Sequence, residues 1–212
     1  MQSEATTLAH HFEDISQQRS ASILGMWVFL ATEVMFFGGL FLAFAVARFL
    51  YAENFNQAAK HLDVVAGSIN TGILFTSSFT TALAVSTLRR DWKLSTIGLL
   101  LLSIALGSLF LVIKGYEYHE KWVEGLVPGA GFTSSEPAHN QLFFIFYFTL
   151  TGLHGIHLLI ALGVMLVVGW LVLSGRVSSE RYMPLEISAL YWHFVDIVWV
   201  FVFPLLYLIG GR

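Results

Sequence analysis

Five ionisable side chains sit where the surrounding residues are almost all apolar. Residues 151–157 read TGLHGIH and residues 191–203 read YWHFVDIVWVFVF, which puts His154, His157, His193 and Asp196 among aromatic, aliphatic and glycine residues. Residues 31–39, ATEVMFFGG, add Glu33. Residues three apart share a helical face, so His154 pairs with His157 and His193 with Asp196. Two chemistries suit these types at this spacing. Three imidazoles can ligate a haem or a dinuclear copper site while Asp196 orients a ring from behind. The other possibility is a set of interhelical hydrogen bonds that fixes packing. Gly152 and Gly155 beside the two histidines let another helix come close, which makes bridging the stronger reading. Glu33 is either a proton-handling group or a protonated acid donating one structural hydrogen bond. Asp196 has the same choice, and His193 one turn away tilts it to the structural side.

The elements that must carry these groups are membrane helices. The chain has 212 residues, 56% of them hydrophobic, with a mean hydropathy of +0.71 and only 12% charged residues. Soluble domains carry about a quarter charged. Five stretches are long and apolar enough to cross a bilayer, for which roughly 20 residues suffice: 23–51, 64–88, 94–118, 142–173 and 185–209. The predicted fold is therefore all-α, an integral membrane bundle of five transmembrane helices over 23–212, preceded by a polar segment, 1–22, that lacks the apolar core of a signal peptide. At about 1.5 Å per residue, Glu33, His154 and Asp196 all lie roughly 15–18 Å into their spans, near the midplane. An ionisable group at that depth needs an account.

Composition excludes several functions. With 11 basic and 14 acidic residues the net charge is −3, so no basic field would hold nucleic acid. The absence of cysteine excludes disulfides, thiolate metal sites, iron–sulfur clusters and thiol nucleophiles. Arg19, Arg89, Arg90, Lys93, Arg176 and Arg181 gather on one side of the predicted bundle, against Arg48, Lys60, Lys121 and Arg212 on the other. Short cationic loops stay in the cytoplasm, which predicts a cytoplasmic N-terminus and a C-terminus outside. Arg176 and Arg181, at the inner surface, are candidates for lipid phosphate contacts. Small residues mark packing faces, here Gly39, Ala43 and Ala47 in the first span and Ser103 and Gly107 in the third. Pro204 removes a backbone donor and should kink the last span. KGYEYHEKW, residues 114–122, reads as an interfacial anchor in which Lys114 and Glu117 pair at spacing three.

Taken in order, ATEVMFFGG, the Ile-Asn-Thr at 69–71, KGYEY at 114–118, TGLHGIH and YWHFVDIVWVFVF resemble subunit III of the haem-copper respiratory oxidases, from about residue 24 to the C-terminus. Five spans resemble the short bacterial form, which lacks the first two helices of mitochondrial-type members. The resemblance implies a non-catalytic subunit of a proton-pumping terminal oxidase that reduces O₂ to water in the inner (plasma) membrane of a bacterial cell. It implies no haem, copper or other metal in this chain and no catalytic residue. Haem and copper would lie in partner subunits. Subunit I would be the direct partner, with subunit II and further chains beside it, and phospholipid would bind within the helix bundle. Glu33 matches the family's membrane carboxylate, which would support proton uptake. His154 and His157 match its fourth-span histidines and Glu186 the acid before the YWHF block, and with His193 and Asp196 they would form a polar scaffold. KGYEYHEKW and Glu33 look nearer to the cytochrome c oxidase members, which makes cytochrome c the preferred electron donor. A quinol oxidase subunit and an accessory chain of nitric oxide reductase are the alternatives. A stand-alone transporter with Glu33 and Asp196 as its proton relay is a different class, and the lack of internal repeats argues against it.

Overall fold

The computed structural model describes residues 15–129, 132 and 138–208. Residues 1–14 of the polar lead-in and Arg212 lie outside the described residues. The elements are α1 (Ile15–Leu50), α2 (Ala52–Ala59), α3 (Val64–Arg89), α4 (Lys93–Val123), α5 (Ala138–Leu173) and α6 (Met183–Phe203), followed by one π-helical turn (Pro204–Leu208). Five helices are long and apolar enough to cross a membrane, and no strand occurs among the described residues. The all-α architecture is the predicted one, with helices that overrun the apolar segments. α1 already begins at Ile15, inside the polar lead-in, and α4 continues to Val123 rather than ending near Tyr118. Backbone hydrogen bonding carries a helix past the last apolar residue, because the ends cost nothing extra in the polar headgroup region.

The connection after α1 is partly helical. It folds into α2, which buries Phe55, Ala58 and Ala59. Phe55 stacks with Phe44, Phe143 and Phe146, and the Asn54 amide donates to Asn140 at 3.2 Å, so α2 is pinned to α1 and α5. The side chain of Asp63 caps α3 by accepting from the backbone N–H groups of Val65 and Ala66. Gly175, at φ +75°, closes α5 with the backbone bond from Arg176 N–H to the Leu171 carbonyl.

α6 is the centre. Buried residues occur all around it, from Leu185 to Phe203, and α3 and α5 pack along it. α3 and α4 form a hairpin joined by hydroxyl groups. Ser103 Oγ pairs with Thr80 Oγ1 (2.7 Å) and accepts from Thr81 (3.0 Å), and Thr87 pairs with Thr96 (2.9 Å). Lipid gives no hydrophobic drive between helices, so small residues and hydroxyls replace it. Gly107 shows this: a Cβ there would stand 2.9 Å from the Trp192 ring. The Ser103–Gly107 face is thus a packing face, as predicted. The first-span face is not the predicted one. Gly39 and Ala43 are exposed; of the predicted face only Ala47 is buried, and α1 buries Leu30, Phe37 and Phe44 with it. Aromatic rings make the contact between α1 and α6, Phe37 with Phe194, Phe41 with Phe201 and Phe29 with Tyr191. Pro204 marks the place where the α-helix gives way to the π turn, which is the helix distortion expected of it.

Candidate functional site

The most complete polar cluster lies where sequence reasoning saw only an anchor. Along α4 the buried residues are Thr96, Leu100, Ser103, Gly107, Phe110, Lys114, Glu117 and Lys121, one stripe at alternating spacings of four and three. Lys114 and Glu117 therefore point into the bundle, 7% and 3% exposed. The Lys114 Nζ has three protons and three acceptors: Glu117 Oε2 at 3.0 Å, Tyr147 Oη at 3.3 Å and Tyr207 Oη. Both tyrosine hydroxyls in turn donate to Glu117 Oε1, Tyr147 at 2.8 Å. The Trp199 ring lies 5.2 Å from the ammonium. Tyr147 belongs to α5 and Tyr207 to the π turn, so one ion pair ties three elements together. Each charge meets an opposite charge and hydrogen-bond partners, the condition under which a buried pair is tolerated. The pairing at spacing three was predicted; its burial was not.

Glu33 of α1 meets His157 of α5, with Oε2 3.0 Å from Nε2 and the side chains 19% and 15% exposed. The ring's other nitrogen, Nδ1, is 2.8 Å from the Leu153 carbonyl oxygen. A carbonyl only accepts, so Nδ1 carries a hydrogen, an assignment made from the group it faces. Nε2 then needs one proton between itself and Glu33. Either the carboxylic acid donates to a bare Nε2, or an imidazolium donates to a carboxylate. In both states the pair is neutral, which is what a half-buried site in hydrocarbon requires. Phe37 closes it from one side at 5.1 Å from the imidazole.

The remaining predicted groups go to separate places. His154 is fully buried between the rings of Phe110 (5.4 Å) and Trp199 (5.0 Å), and neither of its nitrogens has a hydrogen-bond partner. His193 pairs with Ser78 of α3, Nδ1 to Oγ 2.6 Å. Asp196, 5% exposed, has no partner on either oxygen. Ser78 lies next to it as well, its Oγ 2.6 Å from His193 Nδ1. Ser78 of α3 thus stands between His193 and the Asp196 carboxyl as the interhelical hydroxyl nearest to both, although no hydrogen bond to Asp196 closes at this geometry. Glu186 forms an ion pair with Arg89, whose guanidinium also lies 4.7 Å above the Tyr182 ring. Arg176 and Arg181 are exposed, Arg176 stacking on Trp170 at 5.3 Å. The three candidate ligand histidines thus stand in three different surroundings, and among the described residues no three His, Asp or Glu side chains converge.

The arrangement is a set of neutral, internally matched polar contacts between helices. The profile of a known family, cytochrome c oxidase subunit III, matches residues 1–211. The chain belongs to that family. Among its relatives, the cytochrome c oxidase subunit 3 of Thermostichus vulcanus is 30% identical over 190 residues, covering 88% of this chain and 87% of its own length. The cytochrome bo(3) ubiquinol oxidase subunit 3 of Pseudomonas putida is 29% identical over 191 residues, covering 89% and 86%. A heme-copper oxidase subunit I+III from Aeropyrum pernix is 35% identical over 196 residues, covering 87% of this chain and 22% of that one. As a subunit III chain, the protein is a multi-pass membrane component of a haem-copper oxidase complex. Within such a subunit III, the Lys114–Glu117 cluster and the Glu33–His157 pair are the joints that hold α1, α4, α5 and the C-terminal turn to one another.

Proposed function

We propose that this chain is the non-catalytic subunit III of a proton-pumping cytochrome c oxidase in the plasma membrane of a bacterium. It packs against subunit I, keeps that catalytic subunit intact through turnover and supports its proton uptake. Haem and copper belong to the partner subunits, subunit II among them, and O₂ is reduced there. The observation that carries the reading is the family match along the chain. The relative whose name joins subunits I and III in one polypeptide supports subunit I as the direct partner.

The positive side chains orient the bundle. Arg19, Arg89, Arg90, Lys93, Arg176 and Arg181 lie at one end, which the positive-inside rule places in the cytoplasm together with the N-terminus. There Arg176 and Arg181 are available to phospholipid headgroups. In this setting Glu33 and His157 retain one proton between them and support the neighbouring subunit, while His154, His193, Asp196 and Glu186 serve the scaffold.

A quinol oxidase is the second reading, favoured by the ubiquinol oxidase subunit among the relatives. The test is to isolate the native complex through a tag on this chain. Co-purification of a large histidine-rich subunit with haem absorption, and oxidation of reduced cytochrome c rather than quinol, is the expected result. Recovery of this chain without haem-bearing partners would overturn the reading.

A further inference from the structure

A groove of about 280 Å³ opens between α3 and α6 at the arginine-rich end of the bundle. Ser86, Arg89, Glu186 and His193 supply polar groups to its wall, with small Ala82 and Ala189 between them. His193 is half-buried and leads inward. Its ring is bonded to Ser78, which also adjoins Asp196. Asp196 lies one helical turn beyond His193 on α6, about 5–6 Å away by Cβ positions. Its two oxygens are the awkward groups of this region: buried, polar and without a closed hydrogen bond, although the Ser78 hydroxyl lies beside them. Buried polar atoms in proteins are almost always satisfied, and where no side chain serves, ordered water does. The groove has room for several waters.

We propose that the α3–α6 groove is the mouth of a water-filled inlet that passes His193 and Ser78 and ends at the Asp196 carboxyl. Water in this inlet supplies the missing hydrogen bonds and exchanges hydrogen between the carboxyl and the aqueous phase at that end. A lipid does not fit the groove as well. The guanidinium at its mouth is already matched by the Glu186 carboxylate and the Tyr182 ring, so a phosphate would have to displace an ion pair. Most of the wall's surface is apolar, but an acyl chain laid there would leave its four polar side chains, Ser86, Arg89, Glu186 and His193, without water. The inference is independent of the oxidase reading, because it rests only on the groove and the unpartnered carboxyl.

The test exploits the absence of cysteine from the chain. Ala82 lines the groove and Leu83, its neighbour at the same depth, does not. Ala82→Cys, Ala189→Cys and Leu83→Cys are each introduced into the complex in native membranes and exposed to a charged, membrane-impermeant methanethiosulfonate. Thiols react as thiolates, which form where water reaches, so the two groove cysteines should react at least roughly tenfold faster than Leu83→Cys. Equal rates, or no reaction at the groove positions, would overturn the inlet and mean that lipid or another subunit fills the groove. A second measurement follows the S–H stretching band of Asp196→Cys after transfer to D₂O. Conversion to S–D within minutes is expected, and it should slow when Ala82→Trp plugs the mouth. A band that is unchanged after a day refutes water access to position 196. The labelling result stands on its own if Asp196→Cys does not assemble.

Discussion

Removing either member of the Lys114–Glu117 pair should do more damage than removing both. Their side chains are 8% and 4% exposed, so neither can turn to solvent for a replacement partner. Glu117→Gln keeps the shape and leaves a carbonyl for Tyr147 and Tyr207, but it strands the ammonium. Lys114→Met strands the carboxylate. Breaking a buried pair by removing one partner costs about 3–5 kcal/mol. In the double variant the uncompensated charge is gone and the tyrosines still have an acceptor, so the loss falls to about 1–2 kcal/mol. The coupling in the cycle is therefore large, at least about 4 kcal/mol. If the cluster acted only as ordinary interhelical hydrogen bonds, each would contribute about 0.6 kcal/mol, at most about 1.7, and the cycle would be close to additive. The assay is reversible unfolding in mixed micelles containing dodecyl sulfate, for wild type, both single variants and the double variant. Single variants within about 1 kcal/mol of wild type, with additive effects, would refute the claim that a true ion pair holds α4, α5 and the π turn together.

Glu33→Gln offers His157 an amide donor in place of the acid, so the assembled oxidase should keep its initial O₂ reduction rate within about twofold, under 0.5 kcal/mol of barrier. Any defect should appear as faster inactivation during turnover; immediate loss of proton pumping in an intact complex would place Glu33 on the obligatory path. Gly107→Val pushes a side chain into Trp192 and should cost about 1–3 kcal/mol in the same unfolding assay. Gly39→Ala meets nothing within 4 Å in the chain and should be neutral or stabilising by up to about 1 kcal/mol. Metal analysis of the isolated subunit should find no stoichiometric iron or copper, because His154, His157 and His193 face different neighbours; one equivalent held by any of them would contradict the scaffold role.

Apolar length alone determined the five spans, since hydrocarbon tolerates only segments that satisfy their own backbone, and any run of sufficient length must become a helix. The order of ATEVMFFGG, TGLHGIH and YWHFVDIVW was enough to place the chain in its family. The Ser103–Gly107 face was legible too, and continuing it by threes and fours along α4 reaches Lys114, Glu117 and Lys121. That signal was in the sequence; the charges at a span end, which usually snorkel to the interface, masked it. Partners were a different matter. Glu33 and His157 are 124 residues apart, and Lys114 and Tyr207 are 93 apart. No local spacing states which helices are neighbours, because a membrane helix can rotate about its axis until packing stops it. Only the packing of the helices sends His154 between Phe110 and Trp199, His157 to Glu33 and His193 to Ser78. That same packing left Asp196 and His193 facing one hydroxyl, Ser78 on α3, a sharing between side chains on two helices that only their tertiary contact could decide.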